Sequence, residues 1–110
     1  MERDEILNMP AGTKINQLVW WKLFDMSPTP PNNDMLLLQD YSNNMHDAWS
    51  VILALKEKGY QAWLENDQVY RDFPGQTNSC KLYGNGFVYF ALGETMPLAI
   101  CRVALLAMPR

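Results

Sequence analysis

In the run Met96–Met108, Arg102 is the only charged residue among apolar neighbours. A guanidinium in that setting must be paired, reach to an edge, or hold an anion. A structural partner would be Glu94, Asp47 or another carboxylate; a functional one would be an anionic ligand. A second group is formed by Trp63, Tyr70, Arg71, Lys81 and Tyr83, all in or beside strand-forming stretches. Aromatic faces with one or two cations suit a nucleobase carrying a phosphate. The plainer alternative is an ordinary cross-strand ladder. Two expected helix starts, Ser42–Asn44 and Thr95–Met96, add unpaired backbone N–H groups and a positive dipole end. Ser42, Asn43 and Thr95 therefore join the candidate ligand set, with simple capping as the competing reading.

Catalytic equipment is hard to find. His46 is the only histidine, and its neighbour Asp47 falls on a different helix face. General-base work would need a positioned partner and a nucleophile. Cys80 and Cys101 stand in no Cys-x-x-Cys arrangement and read as buried free thiols. No His/Cys/Asp/Glu spacing suits zinc, and no dinucleotide or P-loop fingerprint occurs. Gly84-Asn85-Gly86 reads as a hairpin turn rather than a phosphate cradle. No catalytic residue, metal site or cofactor is expected, and the chain is expected to be no enzyme.

The totals set the outer limits. A chain of 110 residues forms one domain and can bury a core without disulfides or metal. It is 48% hydrophobic and 19% charged, a globular composition. Net charge of −3 and a pI near 4.9 argue against binding a nucleic-acid polymer, which needs a clustered basic face. Met1-Glu2-Arg3-Asp4-Glu5 is charged and unlike a signal peptide. No run approaches the roughly 20 apolar residues of a membrane span. A cytoplasmic protein is expected.

The elements that must position these groups follow from periodicity. Glu2–Met9 reads as a short helix and Pro10-Ala11-Gly12 as its break. Lys14–Asp25 reads as a second helix with a wide apolar stripe. Trp20 and Trp21 point about 100° apart, so one belongs to the core and the other to an edge or interface. Ser27–Asp34 is a proline-punctuated linker, and Met35–Leu38 is a brief apolar run that reads either as an edge strand or as loop packed on the core. The third helix, capped by Ser42 or Asn43, carries Met45, Ala48, Trp49, Ile52 and Leu55 at helical spacing and ends at Gly59. After Gly59 the period changes to two: Tyr60–Glu65, Val69–Phe73, Ser79–Tyr83 and Phe87–Leu92 read as strands. Met96–Met108 is apolar on every face, capped by Thr95 and stopped by Pro109, and must be covered on more than one side. The order predicts an α+β domain, a meander of three or four antiparallel strands packed by N-terminal helices and a buried C-terminal helix.

Three segments together resemble one family. They are Glu5–Gly12 with Leu18-Val19, Tyr41-Ser42 with Ala48-Trp49, and Glu94–Ala107. The chain resembles the phage ABA sandwich domain family of small phage and prophage proteins from near residue 5 to near residue 107. The usual family ending is similar to Thr-x-Pro-Leu-Ala-Ile-Cys-Arg-Ala-Ala-Leu-Leu-Ala. The resemblance implies an α/β/α layered sandwich and brings no catalytic residues with it. Two departures stand out. The segment between the second and third helices is Pro-rich where members often carry Cys, and Asn43-Asn44-Met45 stands where Thr-Asp-Ile is more typical.

Together these readings predict a phage accessory protein that acts by binding. The sharper expectation is sequestration of a small anionic nucleotide, an immune signal of a host anti-phage defence system. The alternative is a protein-binding or structural module that engages a host or virion protein through Trp20 or Trp21. The spare tryptophan and the all-apolar last helix further predict a homo-oligomer.

Overall fold

The computed structural model describes residues 2–24 and 39–108. The Ser27–Asp34 linker, the Met35–Leu38 run and the Pro109 stop lie outside the described residues. Three helices come first: α1 (Arg3–Leu7), α2 (Thr13–Phe24) and α3 (Met45–Glu57). Strands β1 (Gln61–Glu65), β2 (Asn78–Gly84) and β3 (Phe87–Gly93) follow, then α4 (Met96–Ala107). The sheet is antiparallel in the order β1-β2-β3. This is the expected α+β fold, with three strands.

Helix α4 is the middle of the molecule. Thr95, in extended conformation, caps it by accepting from the Leu98 N–H at 3.4 Å, and Pro97 sits in the first turn. Ten of its twelve residues are buried, and it touches β2, β3 and all three other helices. An element apolar all round is satisfied here within one chain. It leaves no spare face, so that part of the case for an oligomer falls away.

Short-range signals explain the rest. Asn44, one residue beyond the expected Ser42 or Asn43, caps α3 by accepting from the Asp47 N–H at 3.0 Å. Gly59, at φ +97°, takes the left-handed position after α3, and Tyr60 N–H closes back on Leu55 O at 3.0 Å. Asn85 and Gly86, at φ +52° and +83°, form the two-residue turn that matches strand twist between β2 and β3. Val69–Phe73 is not a strand. Phe73 N–H bonds Tyr70 O at 3.0 Å, and Pro74 lacks the N–H a ladder needs.

The stripe on α3 is rotated from the expected one. Ala48, Val51, Ile52 and Leu55 are buried, while Trp49 is 48% exposed. Val51 competes for the core from the other side of the stripe and wins. Met45, Trp49 and Leu53, spaced four apart, therefore line an exposed face. Trp20 packs against the core and Trp21 is exposed, as their angular separation requires. The buried Trp20 indole N–H has no hydrogen-bond partner among the described residues.

A polar cluster fastens α2 to the entry of α3. Buried Ser42 donates its hydroxyl to Asn16 Oδ1 at 2.7 Å, and its backbone N–H reaches the same oxygen at 2.9 Å. Gly12 N–H donates to Ser42 Oγ at 2.9 Å, and Asn16 Nδ2 donates to Asp40 Oδ1 at 2.8 Å. Buried polar atoms are tolerable because each is met.

At the β3–α4 junction the backbones nearly touch. A Cβ on Gly93 would lie 2.7 Å from Ala99 N and 2.8 Å from Thr95 O. Gly93→Ala is therefore expected to lower the unfolding free energy by about 1–3 kcal/mol in urea denaturation. A variant within experimental error of the parent would show that the junction yields easily.

Candidate functional site

Alternation along the strands divides the sheet cleanly. Ala62, Leu64, Cys80, Leu82, Tyr89 and Ala91 point into the core cluster. The opposite face carries three cross-strand rows. They are Gln61–Tyr83–Val88, Trp63–Lys81–Phe90 and Glu65–Ser79–Leu92. In the last row Ser79 is buried and Leu92 half-buried while Glu65 is exposed; Trp63 is 63% exposed and Val88 60%.

Lys81 is the centre of the open part. Its Nζ lies 5.9 Å from the Tyr83 ring centre and 6.0 Å from that of Phe90, with Trp63 its cross-strand neighbour. Both distances fall within the range at which a cation feels a ring face. Tyr70 meets Phe90 edge to face at 6.5 Å, which draws the β1–β2 connection over this side. Arg71 is exposed next to Tyr70. The structure thus brings Trp63, Tyr70, Lys81 and Tyr83 together, with Arg71 flanking them. Phe90 completes the group and was not singled out from the sequence, although the pairing of Phe87–Leu92 with Ser79–Tyr83 placed it beside Lys81.

Beyond Phe90, at the β3 edge, lies a cavity of about 290 Å³ bordered by Arg3, Leu7, Phe73, Gln76 and Phe90, among others. Gln76 connects it to Arg102. The Arg102 guanidinium is 3% exposed, and Nη1 donates to Gln76 Oε1 at 2.9 Å and to Leu92 O at 2.8 Å. Nε and Nη2 both donate to Met9 O, at 3.1 and 3.0 Å. No carboxylate bonds it among the described residues, contrary to the expected ion pair. Burial lowers the pKa of Arg102, and the charge of Glu94 opposes that shift without a direct contact. Four of its five N–H donors are engaged, and none is directed at a free surface site by these bonds. Arg102 fixes Gln76; it does not itself line the cavity.

The helix starts are occupied too. Ser42 is sealed in its cluster with Gly12 and Asn16, and exposed Asn43 donates to Asp40 Oδ1 at 3.2 Å. Thr95 serves its own helix, where Pro97 contributes no N–H. His46 is exposed on α3. Both thiols are buried; burial pushes Cys80 up to about 12, and Cys101 also upward. Neither is a thiolate nucleophile at neutral pH.

Two predictions test these assignments. Arg102→Leu leaves Met9 O and Leu92 O without their donor, at about 1–3 kcal/mol each, so denaturant unfolding should show a loss of several kcal/mol. A stability change below about 0.5 kcal/mol would remove Arg102 from its structural role. Alkaline pH should also destabilise the fold. Burial raises Tyr41 from 10.0 to about 12, helped by Asp47, and Cys80 from 9.0 to about 12. Both raised groups favour the folded state fully below their unfolded values. That contribution is lost as pH climbs from about 9 to 12, because the unfolded chain releases protons first. A melting temperature flat over that window would contradict it.

No curated protein matches the sequence. Among solved structures the chain is similar to a phage protein from Bacillus cereus, with a TM-score of 0.68 and 25% identity. The alignment covers 89% of this chain and 92% of that one. The family model of the phage ABA sandwich domain matches residues 13–105, spanning α2 through most of α4. The chain belongs to the phage ABA sandwich domain family.

Proposed function

We propose that this protein acts by binding and that its ligand is a small, ring-bearing anion of nucleotide type, held on the open face of the sheet. The observation that carries this reading is Lys81 set between the Tyr83 and Phe90 rings with Trp63 opposite. A base stacks on an exposed ring with little regard to its identity, and a cation a few ångströms away meets the phosphate. The cavity beneath Phe90 adds depth to a surface that is otherwise flat, and Gln76 brings an amide to its wall. Arg102, Ser42, Asn43 and Thr95 drop out of the ligand set because their polar groups serve the fold.

Within a phage family, the role that fits such a module is sequestration of a nucleotide immune signal of a host anti-phage defence system, in the cytoplasm of the infected cell. Sequestration needs affinity and no turnover. No described helix is long and apolar enough to cross a membrane.

A second reading has its own support. Met45, Trp49 and Leu53 form an exposed apolar line on α3, and Trp21 is 42% exposed. Large aromatic side chains of this kind anchor protein partners. A host or virion protein docked there would use no nucleotide.

Thermal unfolding against a panel of linear and cyclic nucleotides separates the two. A ligand at 100 times its dissociation constant should add about 2.7 kcal/mol of stability. Lys81→Ala should erase that shift while leaving the unliganded melting temperature nearly unchanged. No shift with any nucleotide, together with stable capture of one host protein lost in Trp49→Glu, would favour the second reading.

A further inference from the structure

The strand β1 is an edge whose outer side pairs with no described strand. Natural edges are blunted by proline, bulges, or charges placed along them. Gln61-Ala62-Trp63-Leu64-Glu65 has none of these except its terminal glutamate. Next to it lies a groove of about 370 Å³, bordered by Trp49, Ile52 and Lys56 of α3 and by Gln61, Ala62 and Leu64. An edge beside an apolar groove is the arrangement that accepts an added strand: backbone bonds attach it, and alternate side chains fill the groove.

We propose that the added strand is β1 of a second copy, paired antiparallel about a two-fold axis at Trp63. The register follows from symmetry. Trp63 meets the partner's Trp63, Ala62 meets the partner's Leu64, and Gln61 meets the partner's Glu65. Each pairing is complementary. On the core side a small residue opposes a large one, which seats each Leu64 towards the groove of the other copy. On the open side an amide opposes a carboxylate, and two exposed tryptophans stack across the axis. Charge agrees as well. Glu65 and Asp67 of one copy run towards Lys56 and Lys58, which close α3 of the other. No such match exists for β3 turned about Phe90, where Phe87 would oppose the partner's Gly93.

The joined sheet has six strands, and the two open faces become one surface. Trp63 and Lys81 from both copies then meet at its centre, so a ligand at the axis would touch both chains. The dimer does not rest on the ligand reading, and its test needs no nucleotide.

Residues opposed across an antiparallel pair lie about 4.5–5.5 Å apart at Cα, which suits a disulfide. Under mild oxidation Trp63→Cys should form a covalent dimer in high yield, without help from the buried Cys80 and Cys101. Phe90→Cys, at the axis of a β3 pairing, should stay uncrosslinked. Light scattering on the unaltered chain should give twice 12.7 kDa at tens of micromolar. Trp63→Lys and Trp49→Glu, both at exposed positions, should return a folded monomer. A 12.7 kDa species at hundreds of micromolar, or crosslinking at residue 90 in place of 63, would overturn the proposal.

Discussion

A buried guanidinium with no carboxylate partner among the described residues is the constraint on which the rest of this fold depends. Moving a cation out of water costs several kcal/mol even after relaxation. Arg102 is tolerated because three oxygens from distant parts of the chain converge on it. Met9 lies between α1 and α2, Gln76 lies between β1 and β2, and Leu92 is near the end of β3. Each of those segments is irregular or ends a strand, where a carbonyl or amide is free to turn. The charge on α4 thus ties two connections that no ladder holds, at Met9 and Gln76, to the end of β3.

Around that centre the molecule uses two kinds of glue. Apolar burial surrounds α4, and the Asn16–Ser42 cluster supplies direction where α2 meets the start of α3. Hydrophobic contact is tolerant of rotation, whereas hydrogen bonds to a single amide oxygen are not. The pairing of Phe24 with Tyr41, rings stacked at 5.5 Å, lies close to that cluster in sequence on both sides. Together they set where α3 begins, and hence which of its faces Trp49 occupies.

Much of this was legible from the residues. An all-apolar α4 had to be central, Gly59 had to end α3, and Gly84-Asn85-Gly86 had to turn a hairpin, because each rests on local sterics or on simple burial. What failed was competition between comparable choices. Trp49 and Val51 both fit an apolar stripe on α3, and only the position of β1 and α4 decides between them. Val69–Phe73 alternates like a strand, yet Pro74 and Gly75, at φ +86°, favour a turn. The aromatic group around Lys81 was visible because strand register follows from the hairpin. The partners of Arg102 were not, since backbone carbonyls carry no mark in a sequence and charge alone suggested an acid. For the same reason the cavity beside Phe90, built from three non-adjacent segments, left no pattern to read.

The central position of α4 has a further consequence, for how the chain comes into being. This helix is synthesised after every other described element, and all of them need it to cover their apolar faces. At about 5–20 residues per second the earlier helices and the meander wait several seconds or more on the ribosome without a core. The bond from Arg102 to Met9 spans 93 positions, so the α1–α2 connection is locked only once α4 is made. A ribosome that stalls before residue 96 therefore releases a chain in which the other described elements lack the helix they pack on. Yield is thus governed by synthesis through α4 rather than by any earlier fragment.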